Sequence, residues 1–232
     1  MSNITQAPDD LGTKRVVENG EKRDITVVKQ KGLGVRDLML AAILLAVGQV
    51  LKSTIGTAIA AATGGAIKPN FIIAMYCLAI LLIRPGFLEA AIIGLLAGAI
   101  NQIMPATPLV NFGSELVGAL VICVIVKISL SRKNDAIVTG EDELQQQKSS
   151  KALKILKSVG VTLVGTFVAT LASGFTFVGL QYLLLGVKVG GKVVSLPDGY
   201  LAIFMGVIFG TAAINAVIVQ VLYPALKRVL KK

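Results

Sequence analysis

Histidine is missing from all 232 residues, and so is tryptophan. Without an imidazole the chain has no Ser/His triad, no H-E-x-x-H zinc site and no rhomboid-type dyad. Cysteine occurs twice, as Cys77 and Cys123, each inside an apolar run. That supports neither a disulfide framework nor a paired-cysteine metal site, and both thiols read as packing residues. Charge is scarce as well: 16% of residues are charged against 54% hydrophobic, and the mean hydropathy is +0.78. This balance excludes an ordinary soluble domain and describes an all-α, polytopic membrane protein. Residues 1–35 lack the apolar core of a secretory signal and mix charges of both signs, so a disordered cytoplasmic tail is expected there.

A helix needs about 20 apolar residues to cross roughly 30 Å of hydrocarbon. Six stretches approach this: Val35 to Ile55, Pro69 to Ile83, Gly86 to Met104, Phe112 to Leu130, Leu153 to Val187 and Gly199 to Val229. The fifth is longer than a span and is expected to run past the bilayer. Between the first two lies TAIAAATGGAI, readable as a short re-entrant or interfacial piece. Residues 131–152 form a polar linker that divides a six-helix membrane domain, 36–230, into three helices plus three.

Lys and Arg set the orientation. With both termini cytoplasmic, 19 of the 23 basic residues fall inside, leaving Lys52, Lys68, Lys188 and Lys192 outside. The net charge of +10 then follows from topology in a multi-pass protein of the cell membrane, and a nucleic-acid partner is not needed to explain it.

GVKVGGKV, from Gly186 to Val193, nearly spells a phosphate-binding loop. It fails because Val193 stands where the magnesium-binding hydroxyl belongs, and a Gly-Gly hairpin or flap fits better. Any ATP that powers this chain is bound by another one. Gly94 and Gly98 form G-x-x-x-G and fit internal helix packing; Ala42 and Ala46, also four apart, fit either packing or a docking face for a partner membrane protein.

Polar residues at the span ends say more, because a polar group in hydrocarbon must face the bundle interior, a cavity or the interface. Lys68 and Asn70 open span two, Asn101 and Gln102 close span three, and Asn111, Ser114 and Glu115 open span four. Gln181 and Tyr182 close span five, while Asn215 lies deeper in span six as the floor. All but Asn215 belong to the outer half. Adjacent helical positions differ by about 100°, so Asn101 or Gln102 looks inward, while Asn111 and Glu115 share a face. A cation, an anion and several amides suit a small zwitterion, with Lys68 for its carboxylate and Glu115 for its ammonium. Lys68 also fits a snorkelling lysine beside Pro69, and Asn111 or Ser114 a helix N-cap.

Lys68-Pro69 opening helix two, Arg84 in the next turn, Pro105-Ala106 followed by Asn111, and Asn215 with Tyr223-Pro224 together resemble the bacterial tryptophan transport family. That family belongs to the substrate-binding S-components of energy-coupling-factor (ECF) importers. The resemblance implies a six-helix bundle without enzymatic activity or cofactor, taking a tryptophan-like solute from outside. It also implies a transmembrane coupling subunit docked on an A-x-x-x-A face matched by Ala42 and Ala46, and two ATP-binding subunits. Asn70, Ser114 and Glu115 depart from the family pattern, which leaves cobalamin, pantothenate or a thiamin precursor as alternative substrates. A stand-alone secondary transporter, with Glu115 as its ion-coupling acid, is the other alternative.

Overall fold

The computed structural model describes residues 11–18, 21–28, 32–64, 69–103, 109–134, 143–185 and 200–230. Leu11–Glu18 (β1) and Glu21–Val28 (β2) pair antiparallel, with Lys14 opposite Ile25 and Val16 opposite Arg23. This hairpin falls where composition alone predicts a disordered tail. Two β-branched runs joined by Asn19-Gly20, a dipeptide favoured in two-residue hairpin turns, are a local signal that average composition hides.

From residue 35 onward the described chain is helical, in six rods. They are α1 (Val35–Ala62), α2 (Phe71–Ile83), α3 (Phe87–Asn101), α4 (Val110–Asn134), α5 (Glu143–Leu185) and α6 (Tyr200–Leu230). The all-α polytopic architecture expected from the sequence is present. Four rods contain apolar stretches long enough to cross a membrane, whereas α2 and α3 have only 13 and 15 residues. The six apolar stretches read from hydropathy are all present as helices, four of them long and two short.

The short α2 has a physical explanation. Its sequence, FIIAMYCLAILLI, is apolar on every side, and every residue from Phe71 to Leu81 is buried. A helix hydrophobic all round belongs inside, and α2 packs against each of the other five. Around it α1, α3, α4, α5 and α6 follow one another, and Arg36 Nη2 donates to Leu230 O at 3.3 Å between the first and last of these. Their outward faces carry exposed apolar side chains such as Leu88, Val164 and Val221, as a lipid-facing surface requires. Enclosed by protein, α2 is shielded from lipid, and the non-helical backbone at buried Pro69 is tolerated there.

Other boundaries shift. TAIAAA is no separate re-entrant piece: α1 runs on through a π-helical turn, Lys52–Gly56, into Thr57–Ala62. Much of the expected linker is helix too, since α5 starts at Glu143; its 43 residues extend about 65 Å, well past a bilayer. At the end of α2, Arg84 takes a left-handed conformation (φ 56°) and its N–H caps Ile80 O at 2.9 Å. Pro85 then prevents further helix, and only three residues separate the end of α2 from the start of α3.

Helices α3 and α4 approach closely where glycine permits. A Cβ on Gly94 would lie 2.8 Å from Ala119 Cβ, and one on Gly98 would lie 2.8 Å from Phe112 Cα. The G-x-x-x-G motif thus serves internal packing, and it brings the end of α3 against the start of α4.

Candidate functional site

At the end of the bundle where α1, α3 and α5 finish and α2, α4 and α6 begin lies a cavity of about 300 Å³. This is at the lower edge of the range for small-molecule sites. Helices α1 to α4 contribute Lys52, Asn70, Asn101, Asn111 and Glu115 to its wall, while α5 and α6 contribute Phe177, Phe204, Val207 and Ile208.

Glu115 is the centre of the polar side. It lies in the second turn of α4 and is 1% exposed. A carboxylate removed from water costs several kcal/mol unless donors replace its hydration, and described side chains from three helices supply such donors. Asn70 Nδ2 and Asn101 Nδ2 each donate to Oε1 at 2.7 Å, and Ser173 Oγ donates to Oε2 at 3.2 Å. Beyond Asn101, Lys52 Nζ donates to Asn101 Oδ1 at 2.6 Å. A cation and a carboxyl group are thus joined through one primary amide.

Asn70 is fixed from its other side. Its Oδ1 accepts the Ile72 N–H at 3.3 Å, capping α2, and its backbone carbonyl accepts Asn215 Nδ2 at 3.1 Å. Every helix therefore supplies a group to one connected network: Lys52 from α1, Asn70 at the head of α2, Asn101 from α3, Glu115 from α4, Ser173 from α5 and Asn215 from α6. Beneath it, the Tyr76 hydroxyl fills the niche that Gly118 leaves; a Cβ at 118 would collide with it.

The residues singled out from the sequence fall in several places. Asn70, Asn101, Asn111, Glu115 and Gln181 line the cavity. Lys68 lies outside the described residues, as does the hairpin or flap expected from Gly186 to Val193. Of the adjacent pair at the end of α3, Asn101 faces the network, whereas Gln102 Oε1 accepts the Leu109 N–H at 3.4 Å in the connection to α4. Asn111 sits in the first turn of α4, past the cap position, and Ser114 Oγ donates back to its carbonyl at 3.3 Å. Tyr182 is 60% exposed and does not line the cavity, because one step along α5 from Gln181 turns it outward. Asn215 does not line the cavity and, among the described residues, reaches the site through the Asn70 backbone carbonyl. Ala42 and Ala46 lie on the exposed side of α1.

Lys52, Thr170 and Ser173 line the cavity and were not singled out by the sequence reading. For Lys52 the signal was a charge within an otherwise apolar helical stretch, which topology alone absorbed as an outer-side lysine. A hydroxyl in a long helix carries almost no signal, since Ser and Thr often bond their own helix, as Thr170 does to Thr166 O at 2.8 Å. Among the described residues no three of Cys, Asp and Glu come together as a metal site.

A family model described as "Tryptophan transporter TrpP" matches residues 34–231. A "Probable tryptophan transport protein" of Bacillus subtilis (strain 168) is 24% identical over 200 residues, covering 85% of this chain and 94% of that protein. No solved structure matches the chain.

Proposed function

The chain belongs to the tryptophan transporter TrpP family, whose role is membrane transport, and from that premise we propose that it captures tryptophan or a close aromatic relative in the cavity between Lys52 and Glu115. The observation that carries this reading is the coexistence, in one cavity of about 300 Å³, of a lysine and a buried glutamate with the rings of Phe177 and Phe204. An amino acid needs an anion contact and a cation contact about one residue's width apart, and an indole needs apolar, aromatic walls. Lys52 takes the carboxylate, the role the sequence pattern gave to Lys68. Glu115 takes the ammonium, and the indole ring lies among Phe177, Phe204 and Ile208.

The basic residues favour cytoplasmic termini, which opens the cavity end of the bundle to the outside. We further propose that the protein acts as the S-component of an ECF importer, with a transmembrane coupling subunit packed on Ala42 and Ala46 and two ATP-binding subunits driving reorientation. The exposed position of both alanines, one turn apart on α1, supports that docking face.

Isothermal titration of the purified protein with L-tryptophan tests the substrate, with cobalamin, pantothenate and thiamin precursors as competitors. Micromolar or tighter binding of L-tryptophan is expected. Preference for a vitamin would overturn the substrate assignment, and proton- or sodium-driven uptake by the protein alone in proteoliposomes would overturn the ECF coupling.

A further inference from the structure

The Asn101 side chain has an unusual pair of partners. Its oxygen accepts from Lys52 Nζ at 2.6 Å and its nitrogen donates to Glu115 Oε1 at 2.7 Å. These are the two charged groups assigned above to the carboxylate and the ammonium of an amino acid. A primary amide carries its acceptor and its donor on one carbon; an α-amino acid carries its own on adjacent carbons. The amide therefore satisfies both ends of the site in the way the substrate head group would.

We propose that Asn101 is a built-in stand-in for the amino-acid head group, occupying the site in the empty protein and displaced when substrate binds. This rests on the proposed tryptophan-class substrate.

Three observations support displacement rather than permanent bridging. Glu115 lines the cavity yet is 1% exposed, and Asn101 is 0% exposed. The carboxyl group is covered, so an incoming ammonium reaches it only if a covering donor moves. Of the two amides on Oε1, Asn70 is also tied to the α2 N-terminus and, through its backbone, to Asn215. Among the described residues, the Asn101 side chain bonds the two groups that a substrate would engage and no others. It is also the last residue of α3, where a side-chain swing leaves the rest of the helix in place.

The arrangement makes Asn101 a specificity device. Displacing it takes a donor from the buried Glu115 and an acceptor from Lys52 together, so a ligand bearing only one head-group charge replaces only one of the two lost hydrogen bonds. A zwitterion is accepted, and tryptamine or indole-3-propionate is rejected.

The test compares the full-length protein with its Asn101→Ala variant in detergent, by titration with L-tryptophan and by thermal unfolding with and without saturating ligand. The stand-in model expects the empty variant to melt lower and the loaded variant to melt close to the loaded native protein. L-tryptophan then binds the variant roughly three- to tenfold more tightly, because no internal competitor must be expelled. Equal lowering of both melting temperatures with unchanged or weaker binding means Asn101 is a plain structural or ligand contact, and overturns the proposal. Should Asn101→Ala fail to fold, Asn101→Ser, too short to reach both partners, is measured under the same criteria. If the native protein does not bind L-tryptophan at all, the substrate reading fails first and this inference falls with it.

Discussion

The side-chain nitrogens of Asn70 and Asn101 converge on a single atom, Glu115 Oε1, each at 2.7 Å. Because both amides present nitrogen to the carboxyl group, both oxygens are turned away from it. One caps α2 at Ile72 N, and the other receives Lys52. The orientation of one acidic group thus fixes a helix start 45 residues away and a cation 63 residues away in sequence, which the hydrogen bonds of a buried network make possible without any change in the helices themselves.

Replacing Glu115 with Gln keeps the shape and removes the charge. The new amide offers one oxygen to donors that had two, and no anion to an incoming ammonium. L-tryptophan affinity is expected to fall roughly 10- to 100-fold, as for hydrogen bonds to charged groups. Titration calorimetry measures the affinity, and a retained cooperative melt shows that the fold survives. An unchanged affinity would remove Glu115 from the site.

Lys52→Ala separates the two ends of the head group. The variant is expected to lose L-tryptophan affinity roughly tenfold or more, while its affinity for tryptamine, which has no carboxylate, stays as weak as in the native protein. Competition binding with both ligands reads the difference. An equal loss for both ligands would mean that Lys52 supports the wall rather than contacting the carboxylate.

Much of this arrangement was legible in the sequence because membranes exaggerate the signals. Six apolar runs separated by polar breaks gave six rods, and polar residues at alternate span ends gathered at one end of the bundle, since neighbouring helices run up and down. Amides and carboxyl groups in hydrocarbon have few tolerable addresses, which is why Asn70, Asn101, Asn111 and Glu115 could be picked out one by one. Lengths were less legible. Nothing in the hydropathy of FIIAMYCLAILLI distinguishes a helix facing lipid from one surrounded by other helices, because lipid tails and a protein core are equally apolar. Lys52 was hidden for a different reason: its role depends on a π-helical turn and on Asn101, which meets it across 49 residues of chain.

Gly98→Val tests whether packing holds the site together. A Cβ alone would lie 2.8 Å from Phe112 Cα, and backbone on the facing helix cannot step aside as a flexible side chain can. Parting α3 from α4 also shifts the cavity wall that Asn111 and Glu115 form on α4 away from Lys52. The variant is expected to be destabilised by about 1–3 kcal/mol and to bind L-tryptophan at least tenfold more weakly. Thermal unfolding and titration on the same sample measure both. Native stability would show that α3 and α4 can shift without cost.

Ala42→Leu with Ala46→Leu separates binding from energy coupling. Both positions are exposed on α1, and leucine suits lipid as well as alanine does, so neither the fold nor the cavity should respond. A partner helix that relies on small residues for close approach would be held off by the larger side chains. Binding of L-tryptophan by the purified double variant is therefore expected to match the native protein, while ATP-dependent uptake in cells carrying the coupling subunits falls to background. Uptake at the native rate would place the coupling surface elsewhere on the bundle. A parallel loss of binding would mean instead that α1 transmits changes on its outer face to Lys52, ten residues beyond Ala42 on the same helix.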